Sequence, residues 1–386
     1  MTTEEGRTND DATGDVYDVL GIGLGPFNLG LAALLSDTDC ESVFLEQKPE
    51  FEWHGGMLIE DATLEVPFMA DLVTLADPTN EYSYLNYLRQ HDRLYEFYFY
   101  ETFQVPRREY DEYCRWAAEE LDSARFSRRV TNVTYDESAG EFHVTARNPE
   151  DGNAGETVEY RARDIVVGVG SVPFVPESLR GPSEEDVFHS ASYLNRRERC
   201  LDTESVTVVG SGQSAAEIFL DLLRHQPEAE FRLDWLTRSD GFFPMEYSKL
   251  GLQHFTPEYT QYFHDLSQET KDDLLPEQGL LYKGIDENTS EEIYDLLYER
   301  SVGGDDPNVG MLAMTEVEDI EQVGDSYRLT CEQWQEGERF AHDSEVVILG
   351  TGYHRPTPPF LAGIEERIDR DAKGRLRVES DFEVGF

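Results

Sequence analysis

The chain has 386 residues, 39% hydrophobic and 12% aromatic, enough for a substantial core and about two to three domains of ordinary size. Its net charge of −48 includes only five lysines on the basic side, and so acidic a surface repels nucleic acid and anionic membrane. Such a surface destabilises the compact state unless salt screens it, which points to a salt-rich, halophilic cytoplasm rather than to a reaction.

The polar, acidic residues 1–15 carry no hydrophobic signal region and are expected to be disordered. No apolar run approaches the ~20 residues that span a bilayer, so a cytoplasmic protein with no membrane partner is expected. From Val16 the pattern reads strand (Val16–Leu20), glycine turn (Gly21–Gly30), helix (Leu29–Leu35) and strand (Ser42–Leu45), a βαβ unit. Residues 80–122 are aromatic with helical spacing at Tyr110, Tyr113, Cys114 and Ala117, and a β-prone stretch, Val130–Val144, follows. A strand-like run, Asp164–Val169, comes before the first pattern recurs as Val206–Val209, Gly210–Gly212 and Ala215–Leu223. Short helical segments rich in aromatics fill Phe242 to about Arg300, and strand character returns at Tyr327–Cys331 and Val346–Leu349.

The first turn contains Gly21, Gly23, Gly25, Pro26 and Asn28 in a G-x-G-x-x-N pattern. Its glycines let backbone N–H groups approach a pyrophosphate, whose charge the helix N-terminus favours. Glu46 ends the next strand, 21 residues beyond Gly25, in place to accept from a ribose hydroxyl. A second dinucleotide turn is Gly210-Ser211-Gly212-Gln213-Ser214. The strand after it ends in Thr237-Arg238 rather than an acid, and an arginine there can pair with a 2′-phosphate, pointing to NADPH over NADH; the alternative is a solvated surface arginine. Two nucleotide sites imply hydride transfer from a nicotinamide to a flavin. The four cysteines, Cys40, Cys114, Cys200 and Cys331, form no CxxC pair, which argues against a disulfide reductase and against a zinc site. Oxidases, monooxygenases and simple reductases remain.

From about Asp15 onward the chain resembles the N-hydroxylating flavin monooxygenases of siderophore biosynthesis: the lysine, ornithine and diamine hydroxylases. The resemblance is carried by Gly23-Leu-Gly-Pro-Phe-Asn28, Phe51-Glu-Trp53-His54-Gly-Gly-Met57, Asp71-Leu-Val-Thr-Leu-Ala-Asp-Pro-Thr79, Gly210-Ser-Gly-Gln-Ser-Ala-Ala-Glu217 and Leu349-Gly-Thr-Gly-Tyr353. Gly350 departs from the family's usual alanine, and His189-Ser190 matches the linker of this group. The resemblance implies an α/β fold with two Rossmann-like dinucleotide-binding domains, for FAD and NADPH, and a small helical substrate insertion. It assigns 16–200 and 345–386 to a discontinuous FAD domain, 201–245 and 301–344 to the NADPH domain, and 246–300 to the substrate region. Relatives continue past the region matching Phe386 with a segment that closes over the flavin, so either a C-terminally truncated FAD domain or an unusual chain end is expected.

The implied reaction is N-hydroxylation of a terminal primary amine through a flavin hydroperoxide, with dioxygen and a small amine as partners; a homo-oligomer stays open. The amine must react as the neutral base, and a mostly apolar pocket lowers its pKa by desolvation, so no acid–base pair is assigned. Carried over by position, Trp53, His54 and Met57 lie near the flavin beside Glu46 and Gln47, although Met57 fits core packing better. Gln213, Ser214, Arg238, Thr351, Gly352 and Tyr353 fall to NADPH. Glu65, Ala70, Leu252 and Lys283 fall to substrate, with a solvated lysine the alternative for Lys283.

Two of these depart from the amino-acid hydroxylases. Ala70 replaces a lysine that grips the α-carboxylate, and Leu252 replaces an asparagine of the head-group site. An unpaired carboxylate in a partly buried pocket is costly, so the pair favours 1,3-diaminopropane, putrescine or cadaverine over L-lysine. Glu65, where the family has glutamine, suits the distal ammonium. The alternatives are a carbon- or sulfur-oxygenating flavin monooxygenase, and a truncated, non-catalytic flavoprotein.

Overall fold

A computed structural model describes residues 15–150, 155–181, 183–304 and 306–386. The expected disorder of 1–15 therefore concerns a stretch that, apart from Asp15, lies outside the described residues.

Two sheets carry the two glycine turns. In the first, Val16–Ile22 lies between Ser42–Leu45 and Thr157–Val167, parallel to both, with Ala124–Arg125 at the edge beyond Ser42–Leu45. Beyond Thr157–Val167 the sheet turns antiparallel through Glu141–Arg147 and Arg129–Asp136. Alternation explains that meander: Val130, Val133, Phe142, Val144, Ala146 and Ala162 are buried while their neighbours face out. The other face is covered by Pro26–Leu35 and Arg107–Glu120, and the latter buries Tyr110, Tyr113, Cys114 and Ala117, the spacing seen in the sequence.

The second sheet is parallel throughout, in the order Val187–His189, Val346–Leu349, Ser205–Val209, Arg232–Leu236, Val309–Leu312. Both faces are covered, and Ser205–Val209 is accordingly buried at every position. The helix Gln213–Ala229 packs on it through Ile218, Phe219, Leu222 and Leu223, with the Phe219 ring stacked 4.7 Å from that of Trp235. A three-stranded antiparallel sheet, Thr315–Val323, Ser326–Gln333 and Glu338–Ser344, lies beside it.

The sheets correct two domain boundaries. Val346–Leu349, assigned with 345–386 to the FAD side, runs in the middle of the second sheet, and Val187–His189, assigned with 16–200, is its edge. A parallel sheet buried on both faces needs apolar neighbours on either side of Ser205–Val209, and Val346–Leu349 supplies one of them. The region 246–300 is likewise not one unit. Its last helix, Glu287–Ser301, packs on Gln213–Ala229 and sends Ile293 into the second core, leaving Gly251–Phe255, Pro257–Asp265 and Gln268–Glu277 as the helical insertion. No described helix is long and apolar enough to cross a membrane.

Candidate active site

Each glycine turn opens a helix at a carboxyl end of its parallel strands, where open α/β sheets bind ligands. At the first, Gly25 is the extended N-cap of Pro26–Leu35, with no side-chain cap, no acid in the first turn, and nothing within 4 Å of where a Cβ would point. At the second, Gly212 caps Gln213–Ala229 in the same way, again with open space above it. Uncapped first-turn N–H groups facing open space are what a pyrophosphate requires, so both turns fit a dinucleotide. Glycine is obligatory where the turns cross other backbone. Gly23 has φ +86° and its Cβ would lie 2.6 Å from the Gly168 carbonyl oxygen; Gly210 has φ +134° and its Cβ would lie 2.2 Å from that of Gly350.

Around the first turn, Gly21 leaves room for the Phe44 ring, and Asn28 is buried and donates to the Gly23 carbonyl at 2.7 Å. Asn28 therefore stitches the turn together. Glu46 accepts from the Leu24 and Lys48 amides, 2.9 Å each, which fixes the carboxylate beside the turn while leaving lone pairs for ribose hydroxyls. Gln47 is exposed and accepts from Arg129 Nε at 3.1 Å. Around the second turn, Ser214 is half-buried in the first turn of the helix. The Arg238 side chain is 77% exposed, 3.7 Å from Glu316. That leaves its guanidinium available to a phosphate, and Arg238→Ala is expected to raise the KM for NADPH by about tenfold with little change for NADH, checked by steady-state kinetics with both.

Between the turns lies the crossing of two linkers. Val172–Pro173 pairs with Tyr353–His354, and the Gly352 carbonyl accepts from the Phe174 amide and from His189 Nε2, both at 2.9 Å. Because His189 Nδ1 accepts from the Ala191 amide, its proton sits on Nε2, and burial lowers its pKa. Thr351 donates to the Phe174 carbonyl, and the Tyr353 ring meets His189 and His54 at 5.0 and 6.3 Å. Thr351, Gly352 and Tyr353, carried over as NADPH ligands, thus tie the linkers together, and it is Gly350 that abuts the second turn. Trp53 and His54 stack edge-on at 4.9 Å on the FAD side of this crossing. His54 has a left-handed backbone, φ 51°, and burial, helped by Arg107 and Lys48, lowers its pKa. Met57 is 4% exposed and packs into the second core, its alternative reading.

A cavity of about 370 Å³ lies between residues 59–65 of the first domain and the helices Gln213–Ala229 and Glu287–Ser301. It brings together Glu65 and Gln213, and adds Glu217, Asp286, Thr289 and Arg224. Three of its six acids are paired: Glu217 with Arg107 at 2.6 Å, and Asp61 and Glu292 with Arg224. Exposed Glu60 and the more buried Glu65 and Asp286 form no ion pair among the described residues. Burial and then the charge of Glu217 raise the Glu65 pKa, Arg107 opposes them, and the hydroxyl of Tyr247 donates to Glu65 at 3.4 Å. The structure does not bring Ala70, Leu252 or Lys283 to this cavity; Lys283 is exposed, 5.2 Å from the Tyr282 ring, as a solvated lysine would be. Sequence reasoning missed Arg107 and Asp286, which lie outside every motif, whereas Tyr247 opens the Tyr247–Phe255 segment that the resemblance assigns to the substrate region.

Three comparisons show what the chain is similar to. The family model described as L-lysine 6-monooxygenase/L-ornithine 5-monooxygenase matches residues 15–355. The rhizobactin siderophore biosynthesis protein RhbE of Rhizobium meliloti is 45% identical over 374 residues, 95% of this chain and 82% of that one. The putrescine N-hydroxylase of Shewanella oneidensis is 42% identical over 375 residues, 96% and 73% respectively. Among solved structures, DfoA bound to FAD, the cadaverine monooxygenase of the desferrioxamine pathway in Erwinia amylovora, superposes with a TM-score of 0.92 at 40% identity, covering 96% of this chain and 86% of that one.

Proposed function

Because the chain belongs to the L-lysine 6-monooxygenase/L-ornithine 5-monooxygenase family, we propose that, within that family's range, its substrate is an aliphatic diamine rather than an amino acid. The protein is an FAD- and NADPH-dependent N-hydroxylating monooxygenase of a diamine or lysine, of the kind that serves siderophore biosynthesis. The diamine reading rests on charge. Glu65 and Asp286 line the cavity with no ion pair among the described residues, while its own cation, Arg224, is already held by Asp61 and Glu292 and so is not free for an α-carboxylate. Relatives that hydroxylate putrescine and cadaverine support it.

FAD, when bound, would use the two electrons of NADPH to activate dioxygen, so that one oxygen atom goes to the amine nitrogen and the other leaves as water. The chain's own residues do the rest. The uncapped helix ends at Gly25 and Gly212 would hold the two pyrophosphates. Glu65, with Tyr247 on its carboxylate, takes the ammonium that stays charged. Burial strips water from the reacting amine and favours its neutral form. Burial, and then the charge of Arg107, lower the pKa of His54 and so disfavour a positive charge beside Trp53 and Tyr353.

The test is an amine panel in molar salt, scored as hydroxylamine formed. The kcat/KM for putrescine, cadaverine or 1,3-diaminopropane is expected to exceed that for L-lysine by about tenfold or more, the order of one unmatched ionic contact. Lysine outperforming every diamine would overturn the substrate reading and leave the family assignment standing.

A further inference from the structure

The ion pair between Arg107 and Glu217 joins the two nucleotide domains. Arg107 begins the helix Arg107–Glu120 of the first domain, and Glu217 lies one turn into Gln213–Ala229 of the second. Two parallel bonds, 2.8 Å to Oε2 and 2.6 Å to Oε1, tie guanidinium to carboxylate, whose side chains are 12% and 6% exposed. The same guanidinium donates to the Met57 carbonyl at 3.1 Å, just past the Trp53-His54 turn.

Glu217 passes this order on. Its Oε1 accepts from Gln213 Nε2 at 3.0 Å, one helical turn back. Gln213 Nε2 also donates to Thr289 Oγ1 at 3.2 Å, and Gln213 Oε1 accepts from the Asp286 amide at 2.7 Å. Rotating that carboxamide would set oxygen against the Glu217 carboxylate and NH₂ against an N–H donor, so its orientation is fixed by its partners. One chain of contacts thus runs from the FAD-side turn through Arg107, Glu217 and Gln213 to the N-terminus of Glu287–Ser301, whose cap is Asp286. The charge of Arg107 is also felt at His54, Glu65 and Tyr353.

We propose that Arg107 and Glu217 are positioning residues that act through Gln213, setting the NADPH turn against the FAD side and the substrate cavity so that nicotinamide oxidation stays coupled to N-hydroxylation. This rests on the reading of Gly210–Ser214 as the NADPH turn. Glu217→Gln keeps size and removes charge; Arg107→Lys keeps charge and loses the fork. Both are expected to retain FAD, to raise the NADPH concentration for half-maximal anaerobic flavin reduction by about tenfold, and to lower the hydroxylamine formed per NADPH oxidised. Gln213→Leu should give the same loss, and Glu217→Gln added to it should cost little more, because the two lie on one path. Should Glu217→Gln fail to hold FAD, Gln213→Leu, which leaves the ion pair whole, decides alone. A lowered melting temperature with unchanged NADPH saturation and coupling would make the pair merely structural, and fully additive losses in the double variant would remove Gln213 from the path. If Gly210→Ala left flavin reduction untouched, the failure would lie instead in the assignment of the turn.

Discussion

Gly210→Ala is expected to cut NADPH-driven flavin reduction by about 100-fold while the bound FAD remains reducible by dithionite. At φ +134° the backbone occupies a region closed to alanine, and the new Cβ would stand 2.2 Å from the Gly350 carbonyl oxygen. Neither side yields easily. The Gly350 amide is bonded to the Val209 carbonyl at 2.7 Å, and the Gly210 carbonyl accepts from buried Trp235 Nε1 at 2.6 Å. Relief therefore moves the turn by about 1 Å, which misplaces the first-turn N–H groups that must meet a pyrophosphate, and displacements of that size cost about 100-fold in rate. The first sheet is untouched, so FAD stays. Stopped-flow absorbance of the flavin under anaerobic conditions separates the two reductants. Unchanged reduction by NADPH would sink the second nucleotide seat. The counterpart at the first turn, Gly23, would lose FAD itself, since its Cβ would press on Gly168.

What the sequence made legible was local. A strand, a glycine turn, a helix and a carboxylate in register lie within about thirty residues, and each part constrains the next. Both units appear where they were expected, and the structure adds a contact that was not, the Glu46 carboxylate on the Leu24 amide. What stayed hidden is set by contacts distant along the chain. Val346–Leu349 is four apolar residues, a pattern that announces a buried strand without naming its sheet. Its partner Ser205–Val209 lies far upstream, and only the crossover reveals the pairing. The helix Glu287–Ser301 shows an apolar face in its sequence but not which neighbour receives it. Arg107 and Glu217 are 110 residues apart, and the first of two arginines opening an amphipathic helix reads as solvent-facing until the opposing carboxylate is seen. Motif transfer also carries identity without contact. Thr351 and Gly352 stand where the family pattern put them, yet their polar atoms hold the linkers.

Glu65→Gln is expected to lower kcat/KM for the diamine by about 10- to 100-fold at pH 8, the worth of one hydrogen-bonded ionic contact, and to make the protein more stable at that pH. The two effects have one cause. Burial, with Glu217 and Asp286 nearby, raises the Glu65 pKa, Arg107 and the Tyr247 hydroxyl only partly offsetting them. A carboxyl group whose pKa rises on folding contributes stability that is fully present below the ordinary carboxylate range and lost as pH rises through the raised value. Above it the free enzyme carries an ionised, poorly solvated carboxylate, a strain that glutamine removes. An incoming ammonium supplies the missing countercharge, so this same strain favours diamine binding. For the unsubstituted enzyme, KM for the diamine should therefore climb as pH falls through the raised pKa, where a proton competes with the ammonium. In Glu65→Gln that limb should vanish. Tyr247→Phe, which removes a bond that lowers the Glu65 pKa, should shift the limb to higher pH. The measurements are KM against pH and thermal unfolding in the same buffers. A variant that lost stability at pH 8, or kept the acidic limb in KM, would show that Glu65 receives its charge balance from within the protein and not from substrate.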